Sequence, residues 1–224
     1  GEYGTHYAYD MATLRRRWQW VLLIGFLAAL YALPLFAGDG TISLVNRMLI
    51  SMIAVQGLNL LTGYTGQISL GQAAFMTVGG YIATLLVETV GWSFFVALPL
   101  AALGAGLVGL LFGLPSLRVK GFYLLMATLA AQIIIPWFVS HAFPDVLKTT
   151  QGISAGVPEL FGYRFENAPR FLPIVLTVAI LSTIVAHNVA RSRLGRAFVA
   201  IRDNDLAAEI IGVDLFKYKL QAFF

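Results

Sequence analysis

Apolar residues in this chain run in long blocks instead of alternating with polar ones. Six blocks approach the about 20 residues that a helix needs to cross a hydrocarbon core: Trp18–Phe36, Leu44–Leu61, Ile68–Val87, Trp92–Leu114, Phe122–Val139 and Phe171–Val189. The pattern predicts an all-α, polytopic helical bundle. The third block is the most diluted, because Gln72 and several Gly and Thr positions interrupt it, so a re-entrant segment is the alternative to a crossing. It belongs to a longer stretch, Gly57–Glu88, in which an apolar helix gives way to a Gly/Thr/Gln/Ser break and then to a second helix rich in small residues. Irregular polar backbone at membrane depth survives only where protein or a water-filled path satisfies its hydrogen bonds. The break therefore points to a route for solute, not to an anchor.

Two further blocks carry internal features. Ala101, Ala105, Gly109 and Gly113 form one i+4 ridge that ends in a GxxxG step. Such a ridge lets two helices approach closely, either within the subunit or between subunits. Pro136 leaves the carbonyl of Gln132 without its usual donor and predicts a kink, for shape or for gating. Between the last two blocks, residues 140–170 form a long loop with three prolines and three glycines, read as an external partner surface or a packed cap.

Composition agrees with the pattern. The chain has 224 residues, 58% of them hydrophobic and only 12% charged, whereas soluble domains carry roughly 25% charged residues. The absence of cysteine excludes disulfides, zinc–thiolate sites and cysteine nucleophiles. The net charge of +4 does not indicate nucleic acid, because the basic residues fill the gaps between apolar blocks, where they set topology. With a cytoplasmic N-terminus and six crossings, Arg15, Arg16, Arg17, Arg118, Lys120, Arg191, Arg193, Arg196, Arg202, Lys217 and Lys219 lie inside. Only Arg47, Lys148, Arg164 and Arg170 lie outside, so 11 of the 15 basic residues are internal. Failure of the third block to cross would put Arg191–Arg202 outside, against the positive-inside rule. Trp18 and Trp20 after three arginines read as an interfacial anchor, and no small-residue cleavage site follows before Pro34, which argues against a cleaved signal. The expected organisation is a cytoplasmic tail (1–17), a transmembrane domain (18–190), a cytoplasmic loop (191–216) and the start of a further span (217–224).

Catalytic chemistry finds no support. His6, His141 and His187 are isolated, no HExxH, GxSxG or phosphate-cradling glycine motif occurs, and no metal site or cofactor is expected. The spans hold no mid-depth Asp or Glu of the kind that ion-coupled transporters use. If solute moves uphill, the energy comes from elsewhere. The cytoplasmic loop is the candidate. It opens with Arg191, Arg193 and Arg196, and in the following Arg196–Ile211 stretch Phe198, Ile201, Leu206 and Ile210 alternate with Arg202, Asp203, Asp205 and Glu209. Gly212 is a plausible helix stop. An amphipathic helix here lies on the lipid surface or in a groove of a soluble partner.

Three stretches resemble one family, the inner-membrane permeases of ABC importers for branched-chain amino acids of the LivM/LivH type. They are GLNLLTGYTGQISLGQAAFMTVGGYIATLL at Gly57–Leu86, LRVKGFYLLMATLA at Leu117–Ala130 and GRAFVAIRDNDLAAEIIGVDLFKYKLQAF at Gly195–Phe223. The resemblance covers most of the chain from about Val55 onward. It implies that Arg196, Arg202, Leu206, Ala207, Ala208, Glu209 and Gly212 belong to a coupling loop seated on an ATP-hydrolysing subunit. Ala207-Ala208 followed by Gly212 matches the A-A-x-x-x-G of that loop, but Leu206 stands where many ABC importers carry Glu. It also implies a central place for Asn59, Gly63, Gly66, Gln67, Ser69, Gly71 and Gln72, as a translocation path or inner gate, or as tight packing with satisfied polar groups. The implied partners are cytoplasmic ABC ATPase subunits that bind the ATP, a second homologous or identical permease, a periplasmic or extracellular binding protein, and the lipid bilayer.

Such permeases continue through further spans, whereas this sequence stops at Phe224. A helix starting at Phe216 gains only about 1.5 Å per residue, far short of a core of about 30 Å. A fragment, a partly represented subunit and a natural truncation are the open readings. A urea or short-chain amide importer of the same family, an ATP-independent channel and an intramembrane enzyme are the rival functions, the last disfavoured by the missing catalytic residues.

Overall fold

A computed structural model describes residues 16–116, 122–142, 159–160 and 163–224 of the protein. Arg15, Arg118, Lys120, Lys148, the N-terminal tail and most of the long loop lie outside the described residues. Among them the regular structure is helical, apart from one antiparallel ribbon of two-residue strands, β1 (Glu159–Leu160) and β2 (Tyr163–Arg164).

The helices follow the apolar blocks with shifted ends. α1 (Arg17–Ala32) closes in a short 3-10 turn, Leu33–Leu35, with Pro34 at its start. α2 (Asp39–Leu58) continues into a π-helical segment, Asn59–Tyr64. α3 (Gln72–Glu88), α4 (Phe94–Ser116), α5 (Phe122–Ala142) and α6 (Ala168–Arg191) complete the long helices. Three short ones follow: α7 (Arg193–Asp203), α8 (Asp205–Ile210) and α9 (Leu215–Phe223).

Among the described residues four segments are long and apolar enough to span a membrane: Trp18–Leu35, Asp39–Tyr64, Phe94–Leu111 and Ala168–Arg191. α5 carries a shorter apolar run, Tyr123–Phe138, and continues past Pro136 to Ala142. The third block departs most from its sequence reading. Its helix begins at Gln72, not Ile68, and its 17 residues reach only about 25 Å at the usual helical rise. Residues 65–71 before it are irregular.

Packing divides the long helices into two groups. In the first, α2 runs parallel to α6, since Asn46 Nδ2 donates to Ala168 O (3.0 Å) and Gln56 Nε2 donates to Thr183 Oγ1 (2.7 Å). Ile42, Leu172 and Leu176 form its buried core, and α1 reaches it through Leu30 and a Tyr31–Thr177 hydrogen bond. In the second, α3 runs antiparallel to α4 and parallel to α5, around Ala74, Val78, Ala131 and Ile135. Lipid tails are as apolar as leucine, so helix association here depends on close packing and not on water exclusion. The small-residue ridge of α4 supplies it within the chain. Gly79 faces Ala105, and Gly109 and Gly113 lie against Phe223 of α9.

The groups meet at both ends. At one, Phe94 and Phe95 make edge-on ring contacts with Phe171 and Phe165, each at 6.4 Å. At the other, the irregular residues after α2 meet α7 and α9.

Candidate functional site

The break begins where α2 widens into a π-helix. A helix end leaves its last carbonyls without intrahelical donors, and π turns widen the backbone in a way often found at functional sites. Several of the freed groups find partners of different kinds. Leu61 O accepts from Gln67 N (3.2 Å) and from the Thr65 hydroxyl. Thr62 Oγ1 donates to Gln67 O (3.2 Å). Gly63 O accepts from Arg202 Nη1 on α7 (3.0 Å). Leu70 N donates to Thr128 Oγ1 of α5 (3.0 Å), and Gly71 N to Ser69 Oγ (3.2 Å). Thr65, Gln67 and Ser69 are buried at 3%, 7% and 4% exposure, so protein, not lipid, surrounds the polar groups, as the bilayer requires.

Two glycines have a specific reason to be there. Gly66 has φ +69°, and a β-carbon on it would sit 2.9 Å from Arg202 Cγ. Its left-handed conformation turns the chain, and its bare α-carbon lets Arg202 lie across it. A β-carbon on Gly63 would collide with the side-chain oxygen of Asn59. Gln72 reaches back toward α2, its Nε2 within 3.6 Å of where a Gly57 side chain would begin. The seven path candidates therefore occupy one continuous segment at the α2–α3 junction. Gln67 is its most constrained side chain: Nε2 donates to Thr65 Oγ1 (3.3 Å) and to Lys219 O (3.5 Å), while the buried Oε1 has no partner.

The loop differs from its sequence reading. The stretch from Arg196 to Ile211 is not one amphipathic helix. Asn204 is extended and divides it, and its side chain caps α8 by accepting from Ala207 N (3.1 Å). Asparagine is among the best N-cap residues because its short amide reaches the orphan N–H groups. The break also splits the apolar stripe. Phe198 and Ile201 on α7 are buried at 3% and 4%, whereas Leu206 and Ile210 on α8 are exposed at 66% and 86%. The alanine pair separates too, since Ala208 is buried in its own chain and Ala207 is exposed.

α8 ends as expected at Gly212, with φ +88°. Gly212 N bonds Glu209 O (3.0 Å) and Val213 N bonds Ala208 O (2.9 Å), the Schellman pattern that a left-handed glycine permits. Asp214 then caps α9 by accepting from Lys217 N (3.1 Å). A groove of about 620 Å³ runs beneath this turn, lined by Glu209, Gly212, Val213, Asp214, Phe216 and Lys219 among others.

Arg202 is where the two candidate sets meet. Its Nε and Nη2 donate to Asp203 Oδ1 (3.1 and 3.0 Å), which leaves Nη1 for Gly63 O. Because the side chain is 45% exposed, the contact is worth less than the ~1.5–3 kcal/mol of a charged hydrogen bond shielded from water. Lys219 Nζ pairs with Asp205 Oδ2 at 3.5 Å and is itself nearly buried. Arg196 is remote from this junction and donates to Arg191 O (3.3 Å). Sequence reasoning missed Thr65, Thr128, Asn204 and Lys219. Asn204 had a local signal, an N-cap residue ahead of a short helical run; Thr65 bonds Leu61 and Gln67 within the break itself, and Thr128 and Lys219 act through partners distant in sequence. Among the described residues no cluster of His, Cys, Asp or Glu suits a metal ion.

Helices of membrane-spanning length around a buried polar break define a multi-pass α-helical membrane protein. The family model described as "Branched-chain amino acid transport system / permease component" matches residues 40–224, and the chain belongs to that family. It is 30% identical over 96% of its length to the High-affinity branched-chain amino acid transport system permease protein LivM of Escherichia coli (strain K12). It is 29% identical, over the same share, to the protein of that name from Salmonella typhimurium (strain LT2). The chain spans 56% of the length of each of these relatives. No solved structure matches it.

Proposed function

We propose that the chain is a permease subunit of an ATP-driven importer for branched-chain or other hydrophobic amino acids, in a bacterial-type inner membrane. The observation that carries this reading is the hairpin, residues 192–214. It exposes an apolar tip at Leu206, Ile210 and Ile211 while its root contacts the break through Arg202. A surface of that kind suits a soluble partner, which on this reading is the cytoplasmic ATPase that binds the ATP. A second permease completes the path, and an external binding protein delivers solute. The parallel course of α2 with α6 and of α3 with α5 supports an odd number of crossings between the paired helices, and the excess of basic residues on one side favours a cytoplasmic N-terminus.

Asn59, Gly63, Gly66, Gln67, Ser69, Gly71 and Gln72 then form an inner gate on the cytoplasmic side. ATP hydrolysis in the partner shifts an equilibrium between inward- and outward-facing states, which requires that the partner contact the two states differently.

The test is reconstitution of the full-length subunit with its ATPase, companion permease and binding protein in liposomes, followed by leucine uptake. ATP-dependent uptake of leucine is expected. Uptake of urea or amides but not leucine would move the chain to another substrate class. Flux independent of the ATPase would make it a channel. The chain has no cysteine, so a single Ile210→Cys label reports the side of the hairpin directly. External labelling would overturn the assignment.

A further inference from the structure

We propose that Arg202 and Gln67 form a two-point latch that holds the break closed against the cytoplasmic hairpin and opens when α8 is displaced. The inference rests on the ATP-driven reading above, and it assigns the transmission to particular atoms. α8 is bracketed by the two contacts. Arg202 stands two residues before its cap Asn204, and through Nη1 it holds Gly63 O at 3.0 Å. Asp205, the first residue of α8, pairs with Lys219 Nζ at 3.5 Å, and the carbonyl of the same Lys219 accepts from Gln67 Nε2 at 3.5 Å. A shift of α8 as a unit therefore loads both contacts, one through the backbone before it and one through the ion pair of its first residue with Lys219.

The chemistry suits release more than permanent fixation. Gly63 O is a helix-end carbonyl with no donor of its own, so one guanidinium N–H defines its position. The Gln67 contact is at the long end of hydrogen bonding, and the buried Oε1 of Gln67 goes unpaired. An opening that admits water supplies the missing donor, so the closed arrangement is not favoured at this group. Gly66 completes the device, because its positive φ and missing side chain make room for Arg202 Cγ. These are positioning residues. Neither is argued to touch solute.

The experiment measures ATP hydrolysed per leucine imported by the reconstituted full-length complex. Arg202→Gln is expected to raise this ratio at least about fivefold, the lower end of ordinary coupling effects. Arg202→Lys, which keeps a charge and a donor, falls closer to the wild type. Gln67→Leu has the smaller effect because its contact is longer, and the double variant gives less than the product of the singles because both release one element. A ratio for Arg202→Gln within about twofold of the wild type overturns the latch.

If a variant fails to assemble with its partners, hydrogen exchange of the subunit alone in nanodiscs decides. Faster exchange at residues 62–69 in Gln67→Leu, with α4 unchanged, supports the latch, and unchanged exchange at 62–69 overturns it. A wild-type complex whose uptake ignores ATP overturns both this inference and the reading beneath it. A coupled wild type with unaltered variants overturns the latch alone.

Discussion

The break after α2 and the hairpin after α6 violate the surrounding pattern in opposite directions. In the break, polar side chains are buried: Thr65, Gln67 and Ser69 are each below 10% exposure. In the hairpin, apolar side chains are exposed, with Ile210 at 86% and Ile211 at 74%. In the break, the carbonyls of Leu61 and Gly63 and the N–H groups of Gln67, Leu70 and Gly71 are met by neighbours in the same chain. The hairpin is capped at each turn by Ser192, Asn204 and Asp214, so its backbone is also satisfied, yet its apolar tip is left uncovered. On the proposed reading, the buried polarity serves passage within the subunit and the exposed apolar tip is covered by a partner.

The largest expected effect is at the root of the hairpin. A β-carbon on Gly195 would collide with the carbonyl of Ala190, and backbone there has no flexible end to move aside. Gly195→Val should cost about 3 kcal/mol or more, read as loss of monodisperse protein after extraction. Recovery of normal yield would show that the α6–α7 joint is softer than its geometry implies.

Next is the break. Gly66→Val places a branched side chain at positive φ and against Arg202, with a strain of about 1–3 kcal/mol. Uptake should fall steeply while the melting temperature falls less than in Gly195→Val. Equal losses in both would mean that the break serves stability, like any other packed turn.

Ala208→Trp should come third. Ala208 is only 2% exposed, so an indole must lift α8 from its seat while the long helices stay packed. ATP hydrolysis uncoupled from uptake is the expected signature. Gly212→Val, at φ +88° but with open space around it, should do the same more mildly, through strain alone. Normal uptake in both variants would count heavily against the coupling role.

Smaller still is Asn204→Ala, which removes the α8 cap at a cost of about 1 kcal/mol and should raise hydrogen exchange locally at residues 205–208. The smallest stability effect belongs to Ile210→Ser. It should leave the melting temperature of the subunit unchanged yet weaken co-purification of the ATPase. A stability loss with intact co-purification would reverse the contrast drawn between the two regions.

Much of this was legible in the residues. The apolar blocks located the long helices, Gly57–Glu88 located the break, and Gly212 located the end of α8, because each depends on a local preference: length of apolar run, freedom of glycine, absence of a helix-compatible pattern. The stripe from Phe198 to Ile210 misled because helical periodicity assumes one continuous helix. A single extended residue at Asn204 resets the phase and turns the second half outward. The start of α3 slipped from Ile68 to Gln72 for a similar reason. Ile68 and Leu70 are apolar enough for a span, but the N–H groups of Leu70 and Gly71 donate to the side chains of Thr128 and Ser69 and not to a helical turn.

The sequence by itself determined that this chain lies in a membrane, roughly where its helices run, and to which family its motifs point. These follow from solvent preference and local backbone energetics, which act over a few neighbouring residues. Only the tertiary structure decided that α2 pairs with α6, that the α4 ridge packs inside the chain, and that Arg202 meets Gly63 across a sequence separation of 139. Such contacts join residues whose separate surroundings carry no trace of one another, and they exist only once the bundle has brought them within hydrogen-bonding distance.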